Sequence, residues 1–553
     1  RLALADRPAG ERVDPRRVAL RELAPELTVV DSAERGGTFG LGYDGTGWFA
    51  AVAVAPTDNP VPLRRLAEIV KDGAQVSRLQ LVCHTSQAPV ARLNAWAPAA
   101  VSYQEVSAKL TGPVPPGDSR TFLVARLDAT DAVEVAGDRG GGLTGVQRAL
   151  GAAIQRIGRT LSGAGIGYRM LDADELLGAQ ASMLGIGAVG LAGAGGPGAG
   201  SAGVVGPGGG GPVGQPSTDA QWDRFLAGGY AQVSFQVTGW PPVGERFAAC
   251  LDNLPVAWTS LSLLLGPASD RTTDDEVPLR GYLRIAAAPD ALGPACAELA
   301  KAAGLQGMTL HRLDGEQGPA VYATLPTGGQ EDVGTAGHAC PVDALDQLAP
   351  PVRHGGVLLG RDPDHRPVLV SVFRERPVRL VLVGGIWPTR LVLLRSLAVG
   401  ARAVAATGQP DWVSLGRWAT GADHWVLPPG AGVPPGHPAA PVLVSVDPVG
   451  GTPPPAAGWQ TVVTVCPRPS ERLLGGADLL ITGKLLPADA ELVAGRFGLS
   501  GDGVRLLSRM YDDMAAVIEP GSIRFCWPTP STVEREVLTP PRQSQPALGA
   551  PPR

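Results

Sequence analysis

The chain has 553 residues, 44% of them apolar, and a net charge of −5, which leaves room for about three or four domains at ~150 residues each. No block of Lys and Arg runs through it, which argues against nucleic acid as the main partner, because phosphate binding needs clustered positive charge. Its 75 glycines and 53 prolines call for long linkers and many loops, and Cys83, Cys250, Cys296, Cys340, Cys466 and Cys526 lie far apart with no C-x-x-C, the usage of a reducing compartment.

Residues 1–35 are rich in Arg and Pro, with a short helical patch at 16–23 and no signal-peptide pattern. Arg7, Arg12, Arg16 and Arg17 suit either a juxtamembrane segment near anionic lipid or a solvated tail. Residues 36–177 read as β-β-α-β-β-α-β. The strands fall at 39–43, 48–54, 79–83, 121–127 and 166–171, and the helices at 62–71 and 143–161. In the second helix Val146, Leu150, Ile154, Ile157 and Leu161 recur at helical spacing. Residues 178–217 carry no charge. Their apolarity is Ala and Gly, poor material for a membrane span, so a flexible linker is expected.

Residues 218–330 repeat the first theme. Strands at 231–237, 257–265, 282–286 and 308–312 alternate with helices at 244–252 and 291–303. That order is the split βαβ of ferredoxin-like domains, and the first segment follows it once its leading hairpin strand is set aside. After a connector at 331–349, residues 350–540 read as an α/β domain, and 541–553 as a tail. The expected fold is therefore two ferredoxin-like modules plus a C-terminal α/β domain with a mainly parallel sheet.

The C-terminal domain opens with a hairpin at 357–359 and 368–373. A wholly apolar strand follows at 378–383, then Gly384-Gly385, a helix at 391–398 and a strand at 401–406. A Gly turn between a buried strand and a helix is where phosphate loops sit. A P-loop is G-x-x-x-x-G-K-[ST], with backbone N–H groups and Lys on phosphate and a hydroxyl on magnesium. Counted from Gly384, those last positions hold Thr389, Arg390 and Leu391, so the stretch 384–390 is at most a degenerate phosphate loop. G-x-G-x-x-G matches start at Gly40, Gly140, Gly185, Gly198 and Gly209; the one at Gly40 sits in a hairpin without the following helix of a dinucleotide site, and only the one at Gly140 opens a helix, with Thr144 as an N-cap, to hold an anion or serve as a flexible lead-in. His338-Ala339-Cys340 lacks two further ligands at zinc spacing. Asp274-Asp275-Glu276 and Asp512-Asp513 read as solvated acidic faces. No catalytic, metal or cofactor constellation is complete.

The segments "GVLLGRDPDHRPVLVSVFR", "RLVLVGG" and "RLVLLRSLAVGARAVAATGQPDW" resemble the EccE family of type VII secretion systems, as do "RPSERLLGGADLL", "FGLSGDGVRLLSRMYDDM" and "PTPSTVEREVL". Arg361, Asp362, Arg366, Pro367, Gly384, Gly385, Arg395, Gly400 and Trp412 carry the match. The resemblance implies a non-catalytic component of a secretion membrane complex, with EccB, EccC and EccD as partners, on the cytoplasmic face of the cell membrane. It also implies a membrane anchor ahead of the soluble part, which these residues do not contain. Trp and Arg are favoured at interfaces, so Trp387, Arg390, Arg395 and Trp412 are the expected contact residues. The alternative is a nucleotide-binding or nucleotide-hydrolysing module at 384–390.

Overall fold

Strand pairing sorts the chain into two sheets, and contacts divide it into two units: residues 1–86 with 119–353, and residues 87–118 with 354–553. In this computed structural model the described residues are 14–538, less 35–36, 58, 72–75, 88–96, 112–115, 187–217, 243, 245–249, 252–253, 267–272, 274, 330–332, 351, 353–354, 375, 385, 407–414, 416–417, 420–424, 427–431, 435, 437–440 and 447–455. The helix expected at 244–252 falls largely outside them.

Unit 1 begins with α1 (Pro15–Leu23), β1 (Thr28–Glu34), β2 (Gly37–Tyr43), β3 (Gly47–Val54), α2 (Leu63–Lys71) and β4 (Arg78–Gln87). Helix α3 (Pro98–Leu110) comes next in the chain and belongs to unit 2. Unit 1 resumes with β5 (Pro116–Asp128), α4 (Ala129–Gly137), α5 (Gly142–Gly163), β6 (Tyr168–Met170) and α6 (Ala173–Met183). It continues through β7 (Thr218–Ala220), β8 (Phe225–Ala227), β9 (Tyr230–Gly239), β10 (Trp258–Leu265) and β11 (Glu276–Ala287) to α7 (Leu292–Leu305), β12 (Thr309–Arg312), α8 (Gln317–Ala323) and β13 (His338–Pro341).

The sheet runs β1-β2-β3-β5-β4-β10-β11-β9-β8-β7, with β6 on β3, β12 on β9 and β13 on β11. In each half the last strand lies beside the first and the third lies between first and second: β6-β3-β5-β4 and β12-β9-β11-β10. The halves join where β4 and β10 pair antiparallel, from Leu79↔Leu265 to Ser86↔Trp258. Side chains alternate between faces along a strand. One face carries Leu79, Leu81, Leu123, Ala125, Leu261 and Leu263, buried with Leu66 of α2 and Ile154 and Ile157 of α5. The other carries Phe49, Val82, Phe122 and Val124, buried with Leu20 of α1, Leu176 of α6 and Tyr322 of α8. Helix α6 runs beyond residue 178 into the stretch expected to be linker. Asp172 and Glu175 close a capping box at its start, which satisfies two otherwise orphaned N–H groups.

Unit 2 consists of α3 and then β14 (Val357–Arg361), β15 (Pro367–Val370), β16 (Val378–Val383), α9 (Ile386–Ala398), β17 (Arg402–Ala406), β18 (Trp425–Val426), β19 (Val442–Val446) and β20 (Gln460–Cys466). Then come α10 (Glu471–Leu474), β21 (Leu479–Thr482), α11 (Pro487–Phe497), α12 (Gly501–Arg509), β22 (Ala515–Glu519), β23 (Ser522–Pro528) and α13 (Thr532–Leu538). The sheet order is β15-β14-β23-β22-β21-β16-β20-β19-β17-β18. From β21 to β18 the pairs are parallel; from β15 to β21 they are antiparallel. The sheet is thus mixed rather than mainly parallel. The reason is local: β14–β15 and β22–β23 are joined by short turns, and strands joined that way must pair antiparallel. Helix α3 completes this core, with Tyr103 and Val106 buried among Leu358, Leu359 and Leu394. The Leu358 N–H donates to the Tyr103 hydroxyl at 3.0 Å.

Candidate functional site

In open α/β sheets a ligand crevice forms at the carboxyl ends of parallel strands, where successive connections leave in opposite directions. In unit 2 the β16-to-β17 connection passes over β20 and β19, whereas the β20-to-β21 connection passes the other way over β16. The helices confirm the divergence. Leu391, Leu394 and Leu397 of α9 pack with Leu380 and Leu382 on one face. Ala490, Val493 and Phe497 of α11 pack with Val381 and Val383 on the other. The switch point therefore lies between β16 and β20, bordered by Gly384, Cys466, Arg468, Thr482, Gly483 and Lys484.

Gly384 has φ +115°, a conformation that suits glycine. A Cβ there would find nothing nearer than Gly483 N at 3.9 Å, and one at Gly483 would find open space. The Gly384 N–H donates to the Cys466 carbonyl at 3.1 Å, so the first amide of the turn is already used. Arg468 forms a two-pronged pair with Asp489, Nε at 3.0 Å and Nη2 at 2.9 Å. Asp489 sits in the first turn of α11, and its carboxylate holds the Arg468 guanidinium above its ordinary pKa. Lys484 is exposed. Leu391, at the position of a phosphate loop's magnesium-binding hydroxyl, is 2% exposed in the apolar core. The crevice offers positive charge, and a buried leucine stands where a phosphate loop has its magnesium-binding hydroxyl.

The expected contact residues do not gather here. Trp387 and Arg390 lie in the first turns of α9, Arg390 half-buried; the Trp387 side chain and the whole of Trp412 are outside the described residues. Arg395 points inward and is fully buried. Its Nε and Nη2 donate to Glu534 at 2.9 and 2.7 Å. Nη1 donates to the carbonyls of Leu358 and Leu359, both at 2.7 Å, and Nη2 also to Thr529 at 2.6 Å. All its donors are spent inside unit 2, so the expectation of a surface contact at Arg395 is corrected to an internal clamp. The clamp holds α13, which Ser531 and Glu534 cap reciprocally.

Unit 1 contains polar constellations that the sequence reading passed over. Arg126, 1% exposed, donates to Asp44 at 2.7 and 3.1 Å, to Asp128 at 2.8 Å and to the Thr327 carbonyl at 3.1 Å. The Tyr322 hydroxyl adds a bond to Asp44 at 2.9 Å. Gln80 donates to Ser262 and to the Ala323 carbonyl, and accepts from the N–H groups of Thr327 and Gly328. His84, Ser260, Arg284 and Gln232 form a further chain. The available signal was polar–apolar alternation along β4, β9 and β10. Alternation of that kind ordinarily marks a solvated face, and nothing in the strands themselves says that helices cover it. Among the described residues no group of three or more His, Cys, Asp or Glu could hold a metal ion.

The chain is thus a mixed α/β protein of two sheets, with buried polar networks and an incomplete phosphate loop. A family model described as "Putative type VII ESX secretion system translocon, EccE" matches residues 116–237, and the resemblance to EccE accordingly stands. The matched span runs from β5 to β9, away from the segments within 356–412 and 468–538 on which the sequence resemblance rests. No curated protein matches the chain. Among solved structures the chain is similar to the genome packaging NTPase B204 from Sulfolobus turreted icosahedral virus 2 in complex with ATP-gammaS: 12% identity, TM-score 0.20, covering 28% of this chain and 97% of that one. The same NTPase in complex with AMPPCP gives 10% identity, TM-score 0.20, and covers 28% and 98%. At that TM-score the likeness carries no weight for fold or ligand.

Proposed function

We propose that the chain is a non-catalytic structural component of a type VII secretion membrane complex, docking its folded units on neighbouring subunits at the cytoplasmic face of the cell membrane. EccB, EccC and EccD are the partners this reading implies, and Trp387, Arg390 and Trp412 remain its contact candidates. The single observation that carries it is the EccE match over 116–237. In the same reading each half of unit 1 is a ferredoxin-like module, supported by the strand orders β6-β3-β5-β4 and β12-β9-β11-β10. Among the described residues no helix is long and apolar enough to cross a membrane. Attachment therefore falls to neighbouring subunits or to segments outside those residues.

The test is assembly. The full chain, tagged, should co-purify with the other components from membranes, and cells lacking it should lose the intact complex. A complex of unchanged composition from such cells refutes the proposal. Nucleotide binding is the competing outcome: saturable micromolar binding of labelled ATP, lost in Arg390→Ala, would replace the docking reading.

A further inference from the structure

One row of paired positions crosses the middle of the unit 1 sheet on its α6 and α8 face, and every member is polar. His84 on β4 lies opposite Ser260 on β10, Ser260 opposite Arg284 on β11, and Arg284 opposite Ser234 on β9. Their exposures are 3%, 0%, 0% and 0%. Arg284 donates Nη1 to the Gln232 side-chain carbonyl and Nη2 to the Ser260 hydroxyl at 3.2 Å. The same hydroxyl meets His84 Nδ1 at 2.8 Å. Gln232 is turned by its own bond to the Leu184 carbonyl at 2.9 Å.

Two features of this row are unexplained by packing. First, among the described residues Arg284 meets no acid: its partners are an amide and a hydroxyl, and burial lowers its pKa, to about 9. It is therefore cationic at neutral pH. The other charged group felt by His84 besides Arg284 is Arg120, which is also positive. An isolated charge in a protein interior is heavily disfavoured unless a counter-charge joins it. Second, polar atoms are left over at the same place. Arg284 Nε and Ser234 Oγ, on directly paired residues, have no partner, nor does the indole N–H of Trp258, two positions before Ser260 on the same face. A guanidinium N–H and an indole N–H only donate. What they lack is an acceptor, and what the guanidinium lacks is a negative one.

We propose that Arg284 is the centre of a buried binding site for a small monovalent inorganic anion, with chloride as the type ligand. The ligand is small because the row is enclosed. It is monovalent because Arg284 is the one guanidinium within the row itself, and a doubly charged oxyanion would leave the excess in the same interior. The site spans β4 of the first half and β9, β10 and β11 of the second, so the bound anion ties the two halves across the β4–β10 seam. This inference is independent of the secretion reading and holds or fails without it.

The experiment uses the full chain at constant pH and ionic strength, with sodium chloride exchanged stepwise for sodium gluconate. A ligand that binds only the folded state raises Tm along a saturating curve, by roughly 5 °C at a hundredfold excess over Kd for a unit of this size. Wild type should show that curve. Arg284→Met, which keeps an unbranched apolar stem and removes the charge, should be flat in chloride. Equal Tm in chloride and gluconate for wild type overturns the proposal, as does an undiminished chloride response in the variant. If Arg284→Met does not fold, crystals of the wild-type chain soaked in bromide decide. An anomalous peak against Arg284 supports the site, and ordered water alone at saturating bromide overturns it.

Discussion

The Arg395 corner of unit 2 and the Arg284 row of unit 1 bury a guanidinium equally well and complete it differently. Arg395 has a carboxylate on one side and backbone carbonyls on the other. Arg284 has an amide, a hydroxyl and an unpartnered Nε. Arg126, in the same unit as Arg284, follows the Arg395 pattern with Asp44 and Asp128. Burial therefore does not distinguish a clamp from a binding site. The inventory of partners does: a clamp is electrically closed within its own unit, whereas a site leaves charge and donors over.

The largest effect should come from opening the closed corner. Glu534→Ala leaves Arg395 charged and buried with no acid, and also removes the reciprocal cap of α13. Removing one partner of a buried pair costs about 3–5 kcal/mol. Urea denaturation of the full chain should show the unit 2 transition moved by that amount. The double change Arg395→Met with Glu534→Leu should recover much of the loss, because it removes both charges together. If the single and double variants are equally unstable, packing rather than charge closure holds α13.

Asp44→Asn applies the same test to unit 1 at a smaller expected cost, about 2–3 kcal/mol, since the amide still fills the space while charge-assisted bonds are lost. Burial alone would raise the Asp44 carboxyl, but the bonds from Arg126, Tyr322 and Thr46 outweigh it and hold it below the ordinary carboxylate range. A carboxyl more acidic in the folded state than unfolded contributes stability above its unfolded pKa, about 3.9, and loses it as pH falls through the folded value. Acid titration of unit 1 unfolding should therefore be steeper below about pH 4 in wild type than in the variant. Identical acid limbs would mean that Asp44 does not carry the difference.

How much of this was legible in the sequence follows the range of the interactions concerned. The buried strands of unit 2, such as Val378–Val383, announce themselves as unbroken apolar runs, and α5 by its spacing of Val146, Leu150, Ile154, Ile157 and Leu161. Helix α3 does not. Its sequence, PAAVSYQEVSAKL, has no strong apolar face, and its anchors are the burial of Tyr103 and Val106, a bond from the Leu358 N–H to the Tyr103 hydroxyl and one between the Ser102 and Ser531 hydroxyls at 2.8 Å. Those partners lie hundreds of residues along the chain, so no local pattern assigns 87–118 to unit 2. The polar row fails for the opposite reason: the alternation is plain in Ser260, Leu261, Ser262 and Leu263, but its meaning depends on whether a helix covers the polar side. Arg395 was singled out by composition as a surface contact because a lone Arg in LLRSLA gives no hint of Glu534.

His84 sharpens the comparison through pH. Burial first, then the positive charges of Arg120 and Arg284, hold its pKa well below the ordinary value. A histidine kept neutral in the folded state gains a proton on unfolding once pH drops below about 6.5. The stability it permits is present above that value and is lost as pH falls toward the folded pKa, at a rate approaching 1.4 kcal/mol per pH unit, about 1 kcal/mol between roughly pH 6.5 and 5.5. His84→Gln, neutral throughout and still able to bond Ser260, should flatten the wild-type slope in that window. A slope unchanged by the substitution would mean that His84 does not carry the pH dependence of unit 1 in that window.

The smallest effects should come from arginine and lysine pairs that water already closes. On α12 Arg505 pairs with Asp502, with side chains 70% and 74% exposed; on α7 Lys301 lies 3.6 Å from Glu298. Solvent screens both pairs and pays nothing back for holding long side chains in place, so Arg505→Ala and Lys301→Ala should each move the unfolding free energy by no more than about 0.5 kcal/mol. These variants isolate desolvation from the mere presence of an ion pair, since Arg505 and Arg395 each bond a carboxylate and differ in what surrounds the bond. A loss above about 1 kcal/mol at Arg505, beyond what surface pairs give, would mean that pairing itself carries the stability of unit 2. The contrast between Arg395 and Arg284 would then lose its physical basis, because an acid partner would matter as much in water as in the core.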